Sequence, residues 1–253
     1  MQLPENLKIG CESVLDLLLP RMCSGCGRPL ARTEQFVCPR CLMQLDRDTE
    51  WDWQNNRRIL LWREHKALQR MGAFAFFRRK SIAANMVHEL KYHGQHNLGV
   101  WMGRLAATEL RDSGLFDGVE RLVPIPLTWR RRLHRGFNQA ERIAAGMSQV
   151  LDIPVETGAL RRLRNRESQT HFTLHQRVDN ASNIFGLTKN AGQLAANKHV
   201  MLVDDVMTTG TTMLSAIQAM ETLPGIRLSA FAWSWVHLPE ILTIDTCRYR
   251  VNR

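Results

Sequence analysis

One fifteen-residue run does most to limit what this chain can fold into: His199-Val-Met-Leu-Val-Asp-Asp-Val-Met-Thr-Thr-Gly-Thr-Thr-Met213. Val200 to Val203 is an apolar run, the pattern of a strand buried on both faces of a parallel sheet. It ends on two adjacent carboxylates, Asp204 and Asp205. Thr208, Thr209, Gly210, Thr211 and Thr212 follow, and Met213 to Glu221 then has the composition and period of a helix. The order is strand, acidic pair, hydroxyl-rich turn, helix. Ligands of open α/β sheets sit at the carboxyl ends of strands. A helix start offers free N–H groups and a positive dipole end to a phosphate. Gly210 lets the backbone approach an anion closely. The threonines add hydroxyl donors, and the acids suit sugar hydroxyls. The segment therefore reads as a site for a ribose 5-phosphate group.

Four of the six cysteines form Cys23-x2-Cys26, eleven intervening residues, and Cys38-x2-Cys41. Each knuckle presents two thiolates, and two knuckles complete a tetrahedral four-sulfur shell that suits structural Zn²⁺. Two disulfides or a redox-active pair are the competing readings; a reducing compartment and the matched second pair weigh against them. Cys11 and Cys247 have no partner at ligand spacing. His88, His93, His96, His134, His171 and His175 show no metal spacing and are not assigned.

The chain of 253 residues carries a net charge of +10, which favours nucleic acid or a phosphorylated small molecule as partner. No apolar run reaches membrane-spanning length, and Met1 to Lys8 lacks the basic-then-apolar order of a secretion signal. A cytoplasmic location is expected. We divide the chain into an N-terminal helix and cysteine segment (1–45), a linker (46–70), an α/β domain (71–240) and a tail (241–253). Trp51, Trp53 and Trp62 are expected to pack against the cysteine segment. Strands are expected at 71–77, 121–127, 154–160 and 227–236, and helices at 11–20, 81–92, 97–112 and 138–151. This alternation implies a doubly wound parallel sheet. Residues 161–183 read as a long basic loop.

Asp204-Asp-Val-Met-Thr-Thr-Gly-Thr-Thr212 resembles the phosphoribosyl-pyrophosphate (PRPP) signature of type I phosphoribosyltransferases. PRPP also carries a pyrophosphate, which needs fixed cationic donors, and arginine supplies them bidentately. Between 121 and 166 there are ten arginines against three acids. One cluster is the expected loop Arg130-Arg-Arg-Leu-His-Arg-Gly-Phe-Asn-Gln139, the other Arg161 to Thr170. The functional reading puts Pro126, Leu127, Arg135 and Gly136 near pyrophosphate and makes 161–170 a lid. The bland reading is a solvated basic face. A third is nucleic-acid binding, with bases stacked on Phe137 or Trp129.

Taken together, the four cysteines, Leu90-Lys-Tyr-His-Gly94, Val123-Pro-Ile-Pro126, Arg135-Gly-Phe-Asn-Gln139, Gln169 with Arg177 and Asn183, and Val203 to Thr212 resemble the ComF family, which includes ComF/GntX-type proteins. The resemblance spans roughly residues 20 to 236. It implies a zinc-ribbon-like segment joined to a type I phosphoribosyltransferase fold, and a role in natural competence or the use of external DNA, with single-stranded DNA or DNA-processing proteins as partners. It implies that Asp204 and Asp205 bind the ribose hydroxyls, directly or through Mg²⁺, and that Thr208 to Thr212 cradle the 5-phosphate. Hypoxanthine-type salvage enzymes carry an aspartate where this chain has Thr208, which argues against that substrate class. Two other functions fit the sequence: a metabolic phosphoribosyltransferase acting on a small nitrogen acceptor, and a single-strand-binding adaptor with a vestigial PRPP site.

Overall fold

The computed structural model describes residues 20–49, 53, 59, 62, 64–163 and 184–236. The expected helix at 11–20 save Pro20, the bulk of the 161–183 loop with Gln169, Arg177 and Asn183, Trp51, and the tail after 236 lie outside the described residues.

In chain order the elements are α1 (Pro39–Gln44), β1 (Leu68–Phe77), α2 (Ile82–Tyr92), α3 (His96–Leu110), β2 (Arg121–Pro124), α4 (Trp129–Arg135), α5 (Gln139–Leu151), β3 (Leu160–Arg162), β4 (Phe185–Leu187), α6 (Ala191–Ala195), β5 (His199–Met207), α7 (Thr211–Met220) and β6 (Arg227–Val236). The main sheet runs β1-β6-β5-β2 with every pairing parallel. β3 and β4 form a separate antiparallel pair.

Side chains alternate across a strand, so each strand feeds two cores. Met201, Val203, Phe231 and Trp233 join α2, α3 and α5 on one face. Val200, Leu202, Leu228, Ala230 and Ala232 join α6 and α7 on the other. Both faces are therefore covered, as the continuous apolar run of β5 requires. The helices start where their caps dictate. Ser81 Oγ accepts the Ala84 N–H at 3.1 Å to open α2, and Asn138 Oδ1 accepts the Ala140 N–H at 3.1 Å to open α5. α3 and α5 meet at their backbones. A Cβ added to Gly103 would fall 2.0 Å from the Ile143 carbonyl oxygen.

Two expectations need correction. The arginine-rich segment 130–135 is helix α4, not a loop. Thr128 Oγ1 caps it through the Arg131 N–H at 3.2 Å, and Gly136 ends it with φ +78°. No strand spans 154–160. Val155 makes one bridge to Leu122, and the Glu156 side chain then accepts the Gly158 N–H at 2.7 Å and turns the chain, so pairing begins at Leu160. Trp53 belongs to the same buried cluster as Cys23, Cys38 and Cys41. It lies over Gly72 of β1 and donates its indole N–H to Ser113 O at 2.9 Å. Phe36 of the cysteine segment also meets Trp101 of α3, with centroids 6.2 Å apart.

Candidate functional site

β5 runs on through the acidic pair rather than stopping before it, so Asp204 and Asp205 are strand residues near its carboxyl end. Neighbours on a strand leave it toward opposite sides, yet these two carboxyls stay within reach of each other. Asp205 turns toward α2, where the Lys91 ammonium nitrogen lies 2.8 Å from its Oδ2. Its Oδ1 accepts the Val206 N–H at 2.8 Å. Asp204 turns toward the ribbon of β3 and β4, close enough for its charge to act on Arg162. Its Oδ1 accepts the Asp205 N–H at 2.8 Å. The two carboxyls nevertheless remain neighbours, and the Lys91 charge acts on Asp204 as well as on Asp205.

Asp204 keeps some exposed surface, yet protein atoms crowd its carboxyl. Loss of hydration pushes that carboxyl up, to about 8, and the Asp205 carboxylate adds repulsion. Burial pulls the Arg162 guanidinium below its usual range; Arg131 repels it and Asp204 attracts it. Its carbon sits 5.2 Å from the Phe185 ring centroid. The ribbon itself docks on α7, where Ser215 Oγ accepts the N–H groups of Ile184 and Phe185 at 3.2 and 3.3 Å.

The turn after β5 behaves as its residues require. Gly210 has φ +79°, open to glycine without strain, and stands at the start of α7. Thr208 and Thr209 are exposed, and the Thr209 and Thr211 hydroxyls are 3.0 Å apart. Trp62 lies on this turn: a Cβ on Gly210 would meet its ring at 2.4 Å. Nothing in the spacing of the sequence linked position 62 to position 210.

The other expected residues gather along the same edge of the sheet. Ile125, just before Pro126 and Leu127, donates its N–H to Val203 O at 2.9 Å, and its own carbonyl accepts from the Asn138 amide at 3.0 Å. Arg135 bonds Gln139 Oε1 at 3.1 Å and lays its guanidinium over Tyr92, 5.6 Å from the ring centroid. Gly136 closes α4, its N–H donating to Arg132 O. The structure therefore brings Leu90 to Gly94, Val123 to Leu127, Arg135 to Gln139 and Asp204 to Thr212 to one end of the sheet. In the sequence Lys91 stands out only within the Leu90-Lys-Tyr-His-Gly94 motif. Its place beside Asp205 is legible only once α2 is packed on the sheet.

The four cysteines converge at the far end of α2. Their sulfurs all lie within 4.8 Å of one another, and Cys26 Sγ and Cys38 Sγ are 3.9 Å apart. That exceeds the roughly 2.05 Å of a disulfide. It matches the roughly 3.8 Å between sulfurs that share a tetrahedral metal at about 2.3 Å. Cys23, Cys38 and Cys41 are buried. Backbone N–H groups support the sulfurs, Cys38 N–H to Cys23 Sγ at 3.3 Å and Cys41 N–H to Cys38 Sγ at 3.4 Å. Burial opposes ionisation of Cys38, but the Cys41 N–H and the Arg28 guanidinium outweigh it and hold that thiol down at about 6. This set could hold one metal ion.

His88, Glu89 and His93 also come together, against the expectation that no histidine stands at metal spacing. Among the described residues no helix is long and apolar enough to cross a membrane.

Residues 137–224 match the model of the phosphoribosyl transferase domain. The chain is 30% identical over 203 residues to the DNA utilization protein YhgH of Salmonella typhimurium, covering 79% of this chain and 77% of that protein. It is 24% identical over 217 residues to competence protein F of Haemophilus influenzae, covering 81% and 86%. Among solved structures, the glutamine PRPP amidotransferase from B. subtilis, complexed with ADP and GMP, aligns with a TM-score of 0.39 and 15% identity over 58% of this chain and 30% of that one.

Proposed function

The chain belongs to the ComF family of competence and DNA-utilisation proteins, and on that premise we propose that it binds PRPP with Mg²⁺ at the end of β5 and serves DNA utilisation in the cytoplasm. The observation that carries this reading is the strand-to-helix passage of β5 into α7. It sets two carboxylates directly ahead of a threonine turn that opens a ten-residue helix. Thr208, Thr209, Gly210, Thr211 and Thr212 would hold the 5-phosphate with hydroxyls and free N–H groups. Asp204 and Asp205 would take the ribose hydroxyls or Mg²⁺, since carboxylate oxygens suit that hard cation. Pro126, Leu127, Arg135 and Gly136 would line the pyrophosphate side. Where an acceptor is present, a nitrogen nucleophile would displace pyrophosphate from the anomeric carbon. The carboxylates would then stabilise the positive charge that develops on the sugar. Zn²⁺ on Cys23, Cys26, Cys38 and Cys41 would be structural, because four protein ligands leave no open position.

One observation favours a nucleic-acid partner in addition. α4 buries none of its residues, and Trp129 is 63% exposed beside Arg130, Arg131 and Arg132. An exposed aromatic among arginines suits single-stranded DNA.

The test is calorimetric titration of PRPP with Mg²⁺ into the purified protein and into the Asp204→Asn/Asp205→Asn variant. Binding by the wild type that the variant lacks supports the site. Absence of binding by the wild type refutes it and leaves α4 and the cysteine segment as the DNA-binding surface to measure.

A further inference from the structure

We infer that His88, Glu89 and His93 form a second divalent transition-metal site, distinct from the four cysteines and facing the cleft beside them. Each residue contributes one ligand atom, and these atoms all lie within 4.8 Å of one another. His93 Nδ1 is 3.2 Å from Glu89 Oε2. The rings of His88 and His93 have centroids 5.7 Å apart. Two imidazoles and a carboxylate are a donor set for Zn²⁺ and its neighbours, with metal–ligand distances of about 2.0–2.2 Å. Such a centre puts its ligand atoms about 3–3.5 Å from one another. The Glu89–His93 pair already stands at that separation. His88 and His93 are exposed side chains, free to close the remainder.

The helix end explains how the three meet. Glu89 and His93 are four apart and share a helix face. His88 is five away from His93 and would not, were the helix to continue. But α2 stops at Tyr92, and His93 leaves it at φ −111°, ψ 18°, its N–H still donating to Glu89 O. At this end of α2 the His88 and His93 rings are inclined at 54° to each other. The Gln95 amide donates to the same Glu89 Oε2 at 3.3 Å and helps fix the carboxylate, as partners of ligating groups commonly do. The cleft has a volume of about 580 Å³ and is lined by these three residues with Cys23, Gly25 and Cys26 among others. Three protein ligands leave at least one coordination position. Here it opens on that cleft, where water or an anionic oxygen would complete the centre. The inference does not rest on PRPP binding.

The experiment uses full-length, tag-free protein and Zn²⁺ alone. Metal content after equilibrium dialysis should be two equivalents for the wild type. A mild competing chelator should remove one of them and leave the other. In the His88→Ala/His93→Ala variant the weaker equivalent should disappear or lose tenfold or more in affinity, with the tight one and the thermal midpoint retained. Glu89→Gln should fall between. Co²⁺ gives an independent reading: intense sulfur-to-cobalt bands should grow with the first equivalent only. One equivalent in the wild type, a second of unchanged affinity in the double variant, or thiolate bands from the second equivalent would each overturn the inference.

Discussion

Replacing Lys91 with methionine removes one charge and keeps most of the packing. The ammonium nitrogen is 2.8 Å from Asp205 Oδ2, with side-chain exposures of 20% and 13%. At that distance the gross attraction is about 6 kcal/mol for an effective dielectric of about 20, and desolvation cancels much of it. Truncating one partner of a fully buried pair costs about 3–5 kcal/mol, whereas exposed pairs are worth about 0–1. These exposures place the pair between the two, nearer the buried limit. Asp205 Oδ2 has no hydrogen-bond partner among the described residues to replace the lost charge. We therefore expect Lys91→Met to cost about 2–3 kcal/mol. Urea unfolding at fixed pH measures it as a shift in midpoint at constant slope. Asp205→Asn in the same background should recover part of the loss, so that the double variant is more stable than the sum of the singles implies. A Lys91→Met cost under about 0.5 kcal/mol, or strict additivity, would refute the reasoning and reduce the contact to a surface pair.

Two further outcomes follow from the packing and the charges. Gly103→Ala should destabilise by about 3 kcal/mol in urea, because the new methyl meets the Ile143 backbone at 2.0 Å and overpacking outweighs the ~1 kcal/mol gain in helix propensity; a neutral or stabilising result would place α3 and α5 further apart. Asp204 holds its proton to about 8 when folded, against 3.8 for the ordinary carboxyl. Between those limits the folded state binds more protons than the unfolded one, so stability falls as pH rises through that window. Asp204→Asn should flatten this dependence in an unfolding series from pH 5 to 9, and an unchanged slope would refute the assignment.

Much of this was legible in the sequence because the signals are local. The β5 run, the glycine turn, the caps Ser81 and Asn138, and the two cysteine knuckles each state their geometry within a few residues. α4 was equally legible: Thr128 and Gly136 bracket it as cap and stop, but its charge suggested a solvated loop. The meetings of distant residues were not legible. Lys91 with Asp205, Arg162 beside Asp204, and Trp62 on Gly210 depend on which face of the sheet each element covers. The acidic pair itself was legible: the two carboxyls stay close enough for Asp205 to help hold the proton on Asp204. His88 and His93 were not legible as a pair because their spacing fits no single face of a continuous helix.

One feature of α2 has a mechanical reading. Near its start, Asn85 donates to Gly25 O at 2.7 Å within the first cysteine knuckle. At its end, Lys91 grips the sheet through Asp205. The eleven residues between Ile82 and Tyr92 form a rod about 16 Å long. Rotation of that rod by a single residue, about 100°, would unseat both grips at once. The helix is therefore keyed in phase at both ends, and the cysteine knuckle sets the angular position from which Lys91 reaches the acidic end of β5.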